Sequence, residues 1–239
     1  MQQGELSHQM MGYDRASTMF SPDGRLLQVE YAKKTVKQGT SALGITCKDG
    51  VILLADKRII EKLVVSATIE KVFQIDDNIA AVAAGIVSDA RILIEKAQVM
   101  AQQHRVTYDE TMDAYSLVKE ICNIKQQFTQ YGGARPFGVS LLIAGVNSRP
   151  RLFLTDPTGI YWEYKATAIG EAEDELKEIL EKEYKDVMTL DDGMRLGISA
   201  LKRVLGKDFN LERLDGCIIN MTDKKFKKIT KEDLRKYTK

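Results

Sequence analysis

The sequence contains few of the side chains from which hydrolytic, metal and disulfide sites are usually built. Its 239 residues include only two histidines, three cysteines and one tryptophan. A Ser-His-Asp triad or a histidine-based metal site needs imidazoles close together, and His8 and His104 offer little material for either. Cys47, Cys122 and Cys217 are odd in number and widely separated, which favours reduced core thiols over disulfides or zinc ligands. Phosphate-binding glycine motifs, CxxC and HExxH are absent, so the sequence predicts no cofactor and no metal.

An excess of charge of one sign and long apolar runs are also missing. Lys and Arg number 35 against 34 Asp and Glu, which leaves no broad field to attract nucleic acid or an anionic membrane. The longest apolar runs, 79–87 and 139–146, are far shorter than the ~20 residues of a membrane-spanning helix. Residues 1–15 show neither a signal peptide nor a lipidation motif. We therefore expect a cytoplasmic protein with no nucleic-acid and no membrane partner.

The N-terminal region divides into a tail and a helix. Residues 1–12 are polar and lack periodic apolar positions, which predicts a flexible tail ahead of a single domain over 13–239. A Ser-Pro-Asp-Gly turn at 21–24 precedes a helix whose apolar residues recur at helical spacing over 26–36, until Gly39 ends it. Because this helix precedes every strand, we expect it to lie outside the core and to bury its apolar stripe against a neighbouring subunit.

The remaining chain alternates between apolar strands and amphipathic helices. The predicted strands cover residues 40–47, 51–56, 72–75, 79–85, 137–146, 152–155, 160–165, 216–221 and 225–229. Two helix pairs are predicted. In the first pair, Ser88 or Asp89 opens one helix and Asp109 opens the other, and the second pair covers about 176–205. Thr230 with Asp233 predicts a capping box on a short last helix. Hairpin turns link the first four strands into one set, and 137–165 forms a second.

Both strand sets are strongly apolar, whereas each helix has only one apolar stripe. Two stacked sheets with helix pairs on their outer faces satisfy both patterns. The sequence therefore predicts an α+β fold, a four-layer αββα sandwich with an extra N-terminal helix.

Several segments resemble the signature motifs of proteasome α subunits, and the archaeal type most closely. They are Gly12-Tyr13-Asp14-Arg15, Phe20 to Leu26, Gln28 to Ala32, Gly39-Thr40, Leu54 to Arg58, Ile69-Glu70-Lys71, Asp89-Ala90-Arg91, Gln130 to Gly133, Arg135 to Gly138 and Glu163 to Ala166. They follow the family's order, and the resemblance extends from Gly12 to about Leu205. It implies the N-terminal-nucleophile hydrolase fold, which agrees with the layers predicted above.

Within that fold the resemblance leaves an enzymatic and a nonenzymatic interpretation. In catalytic β subunits an N-terminal threonine is the nucleophile and its own α-amine is the base, and Thr40 occupies the equivalent place. Here Thr40 is internal, and its amide nitrogen is not a base. We therefore interpret the chain as a noncatalytic α-ring subunit, with no catalytic residue of its own. The alternatives are a β-type threonine peptidase with Thr40 as processed nucleophile, and a binding module that shares the fold.

The α-type interpretation implies a seven-membered ring of α subunits stacked on β subunits, with N-terminal tails closing an axial pore to unfolded protein substrates. It assigns the gate to Tyr13, Asp14, Arg15, Pro22 and Tyr31. The docking site for the C-terminal tails of an ATPase activator would comprise Lys71, Gly39, Lys33 and Leu26. Tyr131, Gly132 and Gly133 resemble the loop that narrows the pore.

Overall fold

The computed structural model describes residues 12–13, 15–58, 63–65 and 68–237. Its helices are α1 (Leu27–Gln38), α2 (Val87–Tyr108), α3 (Ala114–Phe128), α4 (Glu173–Glu183), α5 (Leu190–Leu205) and α6 (Lys231–Lys236). Its strands are β1 (Ala42–Cys47), β2 (Gly50–Asp56), β3 (Val72–Asp76), β4 (Ile79–Gly85), β5 (Val139–Val146), β6 (Pro150–Thr155), β7 (Tyr161–Glu163), β8 (Ala166–Ile169), β9 (Leu214–Asn220) and β10 (Phe226–Lys228). Over these residues, no helix has the length and apolar composition of a membrane span.

The strands pair antiparallel in two sheets, and their membership differs from the prediction. Sheet 1 has the order β10-β9-β2-β1-β8, and sheet 2 has the order β3-β4-β5-β6-β7. The expectation that the first four strands form one set is therefore wrong, because the β1–β2 hairpin belongs to sheet 1 and the β3–β4 hairpin to sheet 2. Distant partners decide this: β1 pairs with β8 and β2 with β9, whereas β4 pairs with β5. The predicted strand over 160–165 is in fact β7, and the next strand, β8, was not predicted.

Buried apolar clusters define four layers. One cluster fills the space between the two sheets. A second lies between sheet 2 and the pair α2 and α3, and a third lies between sheet 1 and the pair α4 and α5. The order helix pair, sheet, sheet, helix pair confirms the predicted αββα sandwich. Cys47, Cys122 and Cys217 are buried in these clusters and unpaired, as predicted.

Helix α1 packs on its own chain, contrary to the sequence-based expectation. Its apolar residues Leu27, Val29, Ala32 and Val36 are buried. Val36 belongs to the cluster between the sheets, and the helix contacts β4 and β5. The apolar stripe is therefore covered within the chain and is not a free interface. The preceding turn forms as predicted, with Gly24 at a φ of +74°.

The structure corrects one predicted helix start and confirms another. Asp109 does not open α3; it lies in the left-handed region, with φ 55°, at the C-terminal end of α2. Asp113 caps α3 instead, because its carboxylate accepts hydrogen bonds from the backbone N–H groups of Tyr115 and Ser116. The capping box of Thr230 and Asp233 on α6 is confirmed.

Candidate functional site

A polar cluster lies at the N-terminal end of β1, where Thr40 precedes the strand by two residues. The Thr40 hydroxyl donates to the backbone carbonyl of Asp56 at 2.7 Å. Lys71 Nζ donates to the backbone carbonyl of Thr40 at 2.8 Å and also to its hydroxyl oxygen. The hydroxyl proton of Thr40 is thus engaged in a hydrogen bond to the Asp56 carbonyl. Its backbone nitrogen is an amide bonded to Gly39, so the cluster lacks the free amine that an N-terminal nucleophile uses as base.

Lys71 is buried, although a lysine directly before a strand is usually exposed. The residue lies directly before β3 and is only 6% exposed. Burial lowers the pKa of Lys71 to about 8, although the nearby charges of Asp56 and Glu171 act in the opposite direction. The ammonium therefore gains from any additional negative charge that approaches it.

The carboxylate of Asp56 is held by an arginine from the far end of the chain. Arg213 Nε and Nη2 donate to its two oxygens at 2.9 and 2.7 Å, and this pairing raises the pKa of Arg213. The Asp56 side chain is fully buried. A bidentate pair of this kind fixes both groups, so Asp56 is engaged away from Lys71.

An exposed ion pair lies beside the same cluster. Arg58 donates to the carboxylate of Glu171, and the backbone N–H of Glu171 donates to the carbonyl of Gly39 at 2.8 Å. Gly170 makes this close approach feasible, because it has a φ of +103° and a Cβ there would lie 2.7 Å from the carbonyl oxygen of Thr40. Sequence reasoning missed Arg58 and Glu171 as site residues, since their pairing depends on β8.

The other predicted docking residues lie on or before α1. Leu26 is partly exposed and forms an isolated bridge with Phe20. Lys33 Nζ is 3.7 Å from the Asp156 carboxylate and 3.9 Å from that of Glu30. These ionic partners of Lys33 are not shared with Lys71, so grouping the two lysines in one docking site stays a prediction.

The predicted gate residues are only partly described. Asp14 lies outside the described residues, as does most of the 1–12 tail. Tyr13 and Tyr31 are half-buried, whereas Arg15 and Pro22 are exposed. Their grouping into one gate cluster therefore stays a prediction.

The predicted constriction loop is exposed at its tip and anchored at its base. Tyr131 is 57% exposed, and Gly133 adopts a φ of +84° with open space around it. At the base, Arg135 donates to both oxygens of Asp89 at 2.6 and 2.7 Å, and the N–H of Gly138 donates to the same carboxylate at 2.9 Å. Burial alone would raise the pKa of Asp89, but these hydrogen bonds outweigh it and lower the pKa. The tip thus projects from a fixed base, and the Ser17 hydroxyl donates to the backbone carbonyl of Tyr131 at 3.4 Å.

Side chains that could ligate a metal ion are dispersed across the described part of the chain. In those ranges, no group of three or more His, Cys, Asp or Glu side chains is arranged to hold a metal ion.

Two stacked antiparallel sheets between helix pairs, with a Thr-Asp-Lys cluster at the start of β1, define the class of the N-terminal-nucleophile hydrolase fold. Comparison with known sequences identifies the family within it. The family described as "Proteasome subunit" matches residues 36–219, and the N-terminal signature of its α-type members matches residues 13–34. The chain belongs to the proteasome subunit family and is of the α type.

The most similar relatives include archaeal proteins that are named as proteasome α subunits. The chain is 55% identical to that of Methanocaldococcus jannaschii over 225 residues, which cover 94% of the chain and 86% of the relative. It is 52% identical to that of Archaeoglobus fulgidus over 227 residues, which cover 95% of the chain and 92% of the relative. The similarity thus includes α1, the predicted docking residues and both sheets.

Proposed function

We propose that this chain is a noncatalytic α-ring subunit of the proteasome core particle, which gates the passage of unfolded proteins and docks the C-terminal tails of an ATPase activator. The observation that carries the proposal is the α-type signature over residues 13–34, directly ahead of Thr40. A mature chain beginning at Thr40 would lose this signature and α1. Its partners would be other α subunits in a seven-membered ring, proteasome β subunits that perform the proteolysis, and the activator. A cytoplasmic location is part of the same proposal.

The internal position of Thr40 supports the noncatalytic assignment. Its nitrogen is part of a peptide bond, and its hydroxyl proton is directed at the Asp56 carbonyl rather than at a base. The competing function is a β-type threonine peptidase that is processed before Thr40. N-terminal sequencing of the assembled protein separates the two, because an α-type chain retains residues ahead of Thr40. Finding Thr40 first, with peptide hydrolysis lost in Thr40→Ala, would establish the peptidase instead.

The ring assignment rests on the family, since α1 is covered by its own chain. The expected assembly is a seven-membered ring or a pair of rings, measurable by mass spectrometry under native conditions. A monodisperse monomer at micromolar concentration would contradict the ring and favour a binding module that shares the fold.

The gate proposal has a direct test in the tail. Deleting residues 1–12 should speed the degradation of an unfolded protein by the assembled particle and barely change the hydrolysis of very short peptides. An unfolded chain must thread the pore, whereas very short peptides are small enough to pass a pore that the tails occlude. The short peptide is the internal control for proteolytic capacity. Unchanged degradation of the unfolded protein would remove the tail as gate and leave Tyr131, Gly132 and Gly133 as the candidate barrier.

A further inference from the structure

Among the described residues, the buried ammonium of Lys71 leaves one of its hydrogen-bond donors without an acceptor. Of its three N–H groups, one donates to the carbonyl and one to the hydroxyl of Thr40. Within the described ranges the third has no acceptor, although Lys71 as a whole is only 6% exposed. A shielded ammonium with a spare donor is suited to an anionic ligand, because charge-assisted hydrogen bonds are strong where water is excluded.

Two carboxylates lie near this ammonium, and they differ in how firmly they are held. Asp56 is fully buried and has both oxygens on Arg213, whose side chain is 16% exposed. Glu171 and Arg58 have side chains that are 33% and 41% exposed. Exposed ion pairs contribute little net stability, so they exchange partners readily. The Arg58–Glu171 pair is therefore the one that an incoming anion can open.

The sheet register places this pair over Thr40. At the start of β1, Ala42 pairs with Ala55 of β2 on one side and with Ile169 of β8 on the other. Arg58 follows the end of β2 and Glu171 follows the end of β8. The ion pair therefore bridges the two strands that flank β1, at the end where Gly39 and Thr40 lie. The Glu171 N–H donating to the Gly39 carbonyl at 2.8 Å fixes this placement.

We propose that Arg58 is a second cation of the activator-docking site and that Glu171 holds it while no tail is bound. The C-terminal carboxylate of a tail takes the spare N–H of Lys71 and displaces Glu171 from Arg58, so one exposed ion pair is exchanged for another. This inference rests on the proposed docking function of Lys71. It makes the site selective for a free chain terminus, because an amidated end brings no charge to exchange.

The test uses assembled core particles and a synthetic heptapeptide that copies the C-terminus of the ATPase activator from the same organism. The peptide is prepared with a free carboxylate and with a C-terminal amide. Glu171→Gln should tighten binding of the carboxylate peptide up to roughly fivefold, and Arg58→Gln should weaken it roughly tenfold. The amide peptide should respond to neither change. Glu163→Gln is the matched control, because Glu163 is also 33% exposed and paired with an arginine, Arg151, on strands β6 and β7.

The double variant distinguishes exchange from a general effect of charge. If the tail takes the place of Glu171 on Arg58, Glu171→Gln should give no gain in the Arg58→Gln background. A gain that persists there, a gain shared by the amide peptide, or no effect of either single change would overturn the inference. Lys71→Met separates this failure from that of the docking proposal. If Lys71→Met loses binding while Arg58→Gln and Glu171→Gln have no effect, the docking proposal stands and the ion-pair exchange is wrong. If binding is unchanged in Lys71→Met, both the docking proposal and the exchange are wrong.

Discussion

The N-terminal end of β1 and the layer between α3 and sheet 2 each bury a lysine ammonium, but they satisfy its hydrogen bonds differently. Lys125 on α3 is fully buried and donates to the Val139 carbonyl at 3.0 Å, the Thr155 hydroxyl at 2.8 Å and the Asp156 carbonyl at 3.3 Å. Lys71 donates only to Thr40 among the described residues. Burial lowers the pKa of both lysines to about 8. Burial alone therefore does not distinguish Lys71, the proposed docking lysine, from Lys125; the unused donor does.

The largest expected effect distinguishes the two lysines by stability. Lys125→Ala should lower the free energy of unfolding by about 3 kcal/mol, because it leaves a cavity and unsatisfied buried acceptors in the core. Lys71→Ala should cost less, about 2 kcal/mol, because the Thr40 carbonyl loses its donor while the Thr40 hydroxyl keeps its bond to the Asp56 carbonyl. Urea unfolding of both variants measures the difference. Equal losses would mean that the two lysines play the same structural role.

The next effect distinguishes them by binding. Lys71→Met should weaken binding of a tail peptide with a free carboxylate roughly thirtyfold or more, because it removes one member of a shielded charge pair. Ring assembly should remain intact, which native mass spectrometry checks. Lys125→Met is the matched control, since it removes an ammonium of similar pKa at a site with no spare donor. Similar losses of binding in both variants would point to a general effect on the fold.

The most gradual effect is a pH dependence of the stability. An unperturbed lysine has its pKa at 10.5, and the buried Lys125 has it at about 8. Between these values the unfolded chain holds a proton that the folded chain has released, so the stability of the folded protein rises with pH. The free energy of unfolding of the native protein minus that of Lys125→Met should therefore rise from about pH 8 to 10.5. Taking the difference cancels the other titrating groups, including Lys71. A flat difference would show that Lys125 stays protonated throughout this range.

Local sequence signals predicted most helices and strands but not the neighbours of each strand. The Asp49–Gly50 turn indicates the β1–β2 hairpin, and Thr230 with Asp233 indicates the start of α6. Neither type of signal indicates which sheet a hairpin joins, because that depends on pairing with strands that are distant in the sequence: β1 with β8, β2 with β9 and β4 with β5. The prediction that Asp109 starts α3 was wrong because aspartate is suitable both for starting a helix and for the left-handed residue at a helix end.

Residues of the candidate site could be predicted where they belong to a sequence motif. Residues that come together only through the tertiary fold could not. Lys71 and Gly39 came from motifs, but Arg58 and Glu171 meet only because β8 pairs with β1. The burial of Lys125 could also have been predicted, from its spacing along α3. It lies four residues after Ile121 and eight after Leu117, on the buried stripe of α3. A lysine on such a stripe indicates a buried ammonium that needs acceptors.

The pairing of β1 with β8 and of β2 with β9 also has a consequence for the order of folding. The backbone that carries Thr40 cannot complete its sheet until residues 166–169 and 214–220 have left the ribosome. Contacts of such long sequence separation form slowly, because loop closure must precede them. Arg213, which fixes Asp56, lies at the end of a short turn just before β9. We therefore expect the proposed docking site to be among the last parts of the chain to form, and a chain truncated before β9 to lack it even though α1 and its signature have been synthesised.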